Sequence, residues 1–136
     1  MICAEIAVTA QFFDLDPMEV VWHGNYPRFL EPARVALLDH IGYGYGAMRD
    51  SGYAWPVVDM RLKYIRPVVL AQALRVEAVL AEYENRLVID YRILDSASGE
   101  VLTKARTIQL AVRMATGETC LECPPDLTER VRRLLP

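Results

Sequence analysis

Ile2, Ala4, Ile6, Val8 and Ala10 alternate with smaller or polar residues, the period-two pattern of a half-buried strand. Residues 13–25 have no such period and read as a loop, with Asp-Pro at 16–17 and His-Gly-Asn at 23–25. Asn25 is placed to cap a helix. From Tyr26 to about Ile41 the period changes: Phe29, Ala33, Leu37 and Ile41 repeat every four residues, flanked by Leu30, Ala36 and Leu38. That is one broad helical face. Pro27 suits a first turn. Pro32 removes a hydrogen bond and crowds the preceding turn, so the helix either begins near Phe29 or kinks at Pro32. Gly42 is a C-terminal stop, and a short helical piece near Tyr45–Ser51 ends at Gly52.

Beyond that the period is two almost throughout. Residues 55–66 set Val58, Met60, Leu62 and Tyr64 on one face, and residues 73–83 do the same with Leu74, Val76, Ala78 and Leu80. A turn at Glu84–Asn85 leads into 86–95, where Leu87, Ile89, Tyr91 and Ile93 share a face. Ser96–Gly99 turns into a long strand over 101–114. Thr116–Gly117 turns again into a short strand near 118–122, and Asp126–Leu135 forms a short amphipathic helix capped by Asp126 or Pro125. Hairpin-length connections make these strands antiparallel neighbours. The order strand, long helix, then four or five strands predicts an α+β fold, a sheet of five to six strands wrapped around one helix. One helix cannot protect the sheet edges, so edge pairing with a second copy is expected, giving a homodimer.

The chain has 136 residues, the size of one domain, and 53% of them are apolar, enough to bury a core. Its net charge of −3 argues against nucleic acid as a main partner, which needs a basic surface. The opening MICAEIAVTAQ lacks a basic start and carries Glu5, so it does not read as a signal peptide. No apolar run approaches the roughly 20 residues that span a bilayer. A cytoplasmic location away from the membrane is therefore expected. Three cysteines cannot form a full disulfide framework. Cys120 and Cys123 form a Cys-x-x-Cys pair without a second ligand pair nearby, so small buried fillers are expected, with no metal and no cofactor.

The loop before the helix is the densest polar stretch: Asp14, Asp16, Glu19, His23 and Asn25. A carboxylate and an imidazole close together can transfer protons, and a carboxylate can also attack a carbonyl. The helix N-terminus that follows offers N–H groups for an oxyanion or a phosphate. The same residues have quieter uses: Asp16 before Pro17 is a common turn element, Asp14 could order the loop, and His23 could bond a backbone carbonyl.

The segment FFDLDPMEVVWHGNYPRFLEPAR, residues 12–34, resembles the signature of the 4-hydroxybenzoyl-CoA thioesterase group of hotdog-fold proteins. Asp14, Asp16, Val20, Val21, Trp22, His23, Asn25, Tyr26, Arg28, Phe29, Glu31, Ala33 and Arg34 carry that resemblance. Leu62-Lys63-Tyr64-Ile65-Arg66-Pro67 is similar to the family's second recurrent segment. DLDPMEVVWHGNY together with WPVVDMRLKYIRP further resembles thioesterases of bacterial aryl-polyene or yellow-pigment synthesis. The resemblance implies a hotdog fold, dimers with sheets paired edge to edge and able to pair again into tetramers, and hydrolysis of an acyl-CoA or acyl-carrier-protein thioester. It implies Asp16 as the essential carboxylate, nucleophile or general base, assisted by His23. Two positions depart from the family: Glu19 stands where Gly is frequent, and Phe12 where some relatives have Tyr.

On this resemblance, Trp22, Gly24, Asn25, Tyr26 and Tyr64 are expected around the bound thioester, Gly24 permitting close backbone approach. Trp22, Tyr64 and Trp55 are candidates for an acyl pocket. Arg61, Lys63, Arg66, Arg28 and Arg34 are the cations available for phosphates, with Lys63 and Arg66 favoured. Glu31 is expected to pair with Arg34 or Arg28 on the same helix. Two rivals remain: a hotdog dehydratase using His23 with Glu31, and a non-catalytic thioester-binding protein.

Overall fold

The structure is a computed structural model that describes residues 1–136. Strand β1 (Cys3–Thr9) enters the polar loop, and the long helix α1 (Tyr26–Ile41) leaves it. Helix α2 (Tyr45–Asp50) and strand β2 (Tyr53–Ala54) lead to strands β3 (Val57–Tyr64), β4 (Ala73–Glu82), β5 (Leu87–Asp95) and β6 (Val101–Gln109). Strand β7 (Val112–Arg113) and helix α3 (Pro125–Leu134) follow. Five strands form one antiparallel sheet in the order β1-β4-β5-β6-β3, while β2 pairs with β7 in a separate ribbon.

The four-residue repeat of α1 is the face that packs on β1 and β4: Phe29, Ala33, Leu37 and Ile41 are buried. Opposite them lie Leu74, Val76 and Ala78 of β4 and Leu87, Ile89, Tyr91 and Ile93 of β5, also buried. The α+β expectation, with one long helix against five strands, holds. α1 starts at Tyr26 and contains Pro32, so a start at Phe29 is corrected. Pro32 lies on the exposed side, where water can take up the Arg28 carbonyl left without an N–H. Gly42, at φ 84°, ends the helix, with the Tyr43 N–H closing back on the Leu38 carbonyl at 2.9 Å.

Three further expectations change. Asn25 does not cap α1 with its side chain; its amide donates instead to the Asp14 carbonyl at 2.8 Å. The strand expected over 101–114 breaks after Gln109, and Val112–Arg113 pairs with Tyr53–Ala54 outside the main sheet. The strand expected near 118–122 reduces to one bridge between Thr119 and Val112. A period of two reports exposure alternation, which a chain leaving one sheet for a short ribbon preserves.

The face of β3 expected to be apolar is so, but mostly unburied: Val58, Met60 and Tyr64 are exposed and only Leu62 is half-buried. The reason is placement. β3 is an edge strand, paired only with β6, and α1 lies over the β1 and β4 half of the sheet. No helix is long and apolar enough to cross a membrane.

Candidate active site

The polar loop is a compact, stapled structure. Asp14 is 1% exposed and accepts the Gln11 N–H at 2.8 Å and the Arg28 Nε–H at 2.8 Å, with a second Arg28 N–H on the same carboxylate. It is thus the pin between the loop and α1. Its carbonyl accepts both the Trp22 N–H at 2.9 Å and the Asn25 amide. The Val21 N–H donates to the Val68 carbonyl at 2.8 Å, tying the loop to the segment before β4.

Residues 15–21 fold back on themselves as a small turn, with Leu15 bridged to Val21 and the Asp16 N–H on the Val20 carbonyl at 2.8 Å. Asp16 Oδ1 accepts the Met18 N–H at 2.8 Å, an Asx turn. The carboxylate is therefore oriented through one oxygen, while no side-chain bond holds the other. The turn closes through Glu19 at φ 66°, a left-handed conformation that favours glycine. That geometry explains why a family with this turn would use Gly there.

Asp16, His23, Tyr26, Tyr64 and Arg66 line one cleft of about 290 Å³, with Val20, Val21, Ile65 and Pro67 completing its wall. Four of these, Tyr64, Ile65, Arg66 and Pro67, come from the end of β3 and the residues after it, far along the chain. Tyr64 secures the union: its hydroxyl donates to the His23 carbonyl at 2.7 Å, and its ring meets Tyr26 edge-on at 4.8 Å. Burial raises the Tyr64 and Tyr26 hydroxyl pKa values above their usual range, so both are neutral donors near neutral pH. Beside the cleft, the N–H groups of His23 and Gly24 have no partner within the protein. They lie in the turn His23–Asn25 that opens α1, where the helix dipole favours negative charge.

Of the remaining expected site residues, Trp22, Gly24 and Asn25 adjoin His23 in the same turn and Lys63 does not reach the cleft. The Trp22 ring, half-exposed, tilts against His23 at 5.2 Å. It also covers Gly24 so closely that a Cβ there would overlap the ring. Asn25 braces the loop through the Asp14 carbonyl. Lys63 stands apart: it is exposed on the outer face of the sheet, opposite Lys104 of β6. Arg66 is the cation in the cleft wall, and Glu100 holds it by an ion pair. Strand parity separates Lys63 from Tyr64, a signal already present in the sequence. The apolar lining residues Val20, Val21, Ile65 and Pro67 fall within the two segments that carry the family resemblance, though no lining role was expected of them.

Comparison with known proteins follows the same lines. The family model described as the thioesterase-like superfamily matches residues 10–131. The chain belongs to that superfamily. A Synechocystis protein that carries an esterase name is 31% identical over 131 residues, covering 96% of this chain and 79% of that protein. The Escherichia coli acyl-CoA thioester hydrolase YbgC is 24% identical over 77% of this chain and 78% of its own length. Among solved structures, the DHNA-CoA thioesterase from Staphylococcus aureus superposes with a TM-score of 0.87 at 25% identity, covering 98% of this chain and 91% of that one. The hotdog fold and the class of enzyme expected from residues 12–34, a thioester hydrolase, agree with this superfamily.

Two residues outside the cleft take structural roles. Glu31 binds Arg34 and the Tyr45 hydroxyl and does not line the cleft with His23. A dehydratase pairing of His23 with Glu31 has no geometric support here. Cys123 is buried in the core, where burial pushes its thiol pKa up to about 12. Half-buried Cys120 packs against the same core, and both thiols are free, as small fillers would be.

Proposed function

We propose that the protein hydrolyses acyl-CoA thioesters to the free acid and the thiol, with Asp16 as the reacting carboxylate. The observation that carries this reading is the union of Asp16, His23, Tyr64 and Arg66 in one cleft, beside two unbonded N–H groups. The thioester carbonyl would accept the His23 and Gly24 N–H groups, which stabilise the oxyanion as it forms. Asp16, aimed by the Met18 N–H, then attacks the carbonyl carbon or takes a proton from the water that does. The tetrahedral intermediate collapses with loss of the thiolate, giving the free acid where water attacked, or an Asp16–acyl anhydride that a water then hydrolyses to the acid and the free carboxylate. The His23 imidazole in the cleft wall positions the water or protonates the departing sulfur. Arg66 faces the anionic thiol carrier, which is coenzyme A in this reading and a carrier protein in the alternative.

The active form would be a homodimer. The free edge of β3 exposes Val58, Met60 and Tyr64, with Ile65 just beyond it, an apolar stretch that a second copy would cover. The cleft lies at the end of this same strand, so the partner would border it.

Product analysis tests the reaction class. Incubation with 3-hydroxybutyryl-CoA and with butyryl-CoA should release free coenzyme A from both, with no enoyl product. An enoyl thioester would instead support a dehydratase, and tight retention of acyl-CoA without turnover a binding protein.

A further inference from the structure

Asp16 lies on a wall shared by two depressions of opposite character. One is the cleft already described, with Arg66, His23 and the Tyr64 hydroxyl. The other is a groove of about 760 Å³ lined by Phe12, Phe13, Leu15, Val69 and Leu70, with Pro17 and Glu19 beside Asp16 at its rim. Its only charged lining groups are the two carboxylates. Phe12 and Phe13 are 80% and 70% exposed, and Leu70 is 51% exposed. Large apolar side chains clustered in water mark a surface that covers something.

The groove is built rather than left between loose loops. Its two walls, residues 12–17 and 69–70, are joined at both ends. The Ala10 N–H donates to the Gln72 carbonyl at 3.1 Å and the Ala71 N–H to the Ala10 carbonyl at 3.0 Å. Val20 bridges to Val69 on the other side. Phe13 is held further by the Arg28 guanidinium, 5.3 Å from its ring centre and itself fixed by Asp14.

A thioester has the same asymmetry as this pair of sites. On the sulfur side of its carbonyl is a long, polar, anionic carrier, and on the other side an acyl group. Resting on the thioesterase reading, we infer that the groove of Phe12, Phe13, Leu15, Val69 and Leu70 is the acyl subsite, selecting uncharged apolar acyl groups. The volume lies within the roughly 300–1,000 Å³ of small-molecule sites. Acyl groups with a terminal carboxylate meet Glu19 and are disfavoured.

The test is kcat/KM for thiol release along a series from acetyl-CoA to dodecanoyl-CoA, with benzoyl-CoA and succinyl-CoA added. The wild type is compared with the double variant Phe12→Ser, Leu70→Ser. Both positions are exposed, so the core stays filled. Leu121→Ser, at a 91% exposed position outside cleft and groove, is the control. In the wild type and the control, kcat/KM should climb by about twofold to fourfold per added methylene until the groove is full. The slope should flatten in the double variant. Succinyl-CoA should be a poorer substrate than butyryl-CoA, and Glu19→Gln should narrow that gap. Thiol release independent of chain length, or a slope unchanged in the double variant, overturns the inference and leaves the hydrolase reading standing. Equal loss on every substrate together with a change in oligomeric mass means that a second copy covers the groove, which also overturns it. Absence of thiol release from every acyl-CoA removes the acyl-CoA hydrolase reading itself, and the acyl subsite with it.

Discussion

Asp14 and Asp16 stand two residues apart, and their surroundings assign them opposite costs. Asp14→Asn keeps the side chain's shape but turns one oxygen into an N–H2 group. That group faces the Arg28 donors or the Gln11 N–H, all of which now point at Asp14 from 1% exposure. Hydrogen bonds to a charged group contribute about 1.5–3 kcal/mol each, and breaking a fully buried pair costs about 3–5 kcal/mol. The Arg28 side chain is 44% exposed and can rehydrate, which lowers the expected loss to about 2–3 kcal/mol. With about 2.1 cal/mol/K of unfolding entropy per residue, this chain loses roughly 3.5 °C of Tm per kcal/mol. The expected fall is therefore about 7–10 °C. Asp16→Asn differs: the half-buried side chain keeps an oxygen for the Met18 N–H. Its Tm should stay within about 2 °C of wild type. Differential scanning calorimetry of both variants at one concentration decides this. Equal shifts, or a larger shift for Asp16→Asn, would refute the division of a structural and a chemical aspartate.

Glu19→Gly should raise Tm by about 2–4 °C, because relief of the φ 66° conformation outweighs glycine's added chain entropy by about 0.5–1 kcal/mol; a fall in Tm would contradict this. Tyr64→Phe removes the bond to the His23 carbonyl. It should lower stability by about 1 kcal/mol and reduce kcat for thiol release, and an unchanged kcat would show that the turn holds itself. The Gln72 amide and the Ser98 N–H hold Asp95 well below the usual carboxylate range, at about pKa 2. Its folded pKa is the lower one, so its stabilisation is present above about pH 4 and lost as pH falls towards 2. Urea titrations of Asp95→Asn across that range should show a shallower loss of stability than wild type. Parallel curves would place the acid sensitivity elsewhere.

Local periodicity was legible in the sequence, while long-range partnership was legible only in part, through hairpin spacing and the family resemblance. The four-residue repeat of Phe29, Ala33, Leu37 and Ile41 became the buried face of α1, and Gly42 stopped it. The alternation of Leu74 to Ala78 and of Leu87 to Ile93 became the inner face of the sheet. The resemblance over residues 12–34 and 62–67 named Asp16, His23, Tyr64 and Arg66, and all four line one cleft. The capping role expected of Asn25 fails because its amide finds a partner, the Asp14 carbonyl, eleven residues back in the chain. The break after Gln109 was hidden because alternation continues while the pairing partner changes from β3 to β2. The exposed apolar edge of β3 was invisible for a related reason. A period of two locates an apolar face but does not say whether a helix reaches it.

Thiol release from saturating acyl-CoA by wild type and Asp16→Asn, measured side by side, is the most direct test of the proposed chemistry. Circular dichroism and Tm would first establish that the variant is folded. The expected result is turnover by the wild type and a fall of about a hundredfold or more in kcat for Asp16→Asn. A folded Asp16→Asn that hydrolyses acyl-CoA at the wild-type rate would remove Asp16 from the reaction.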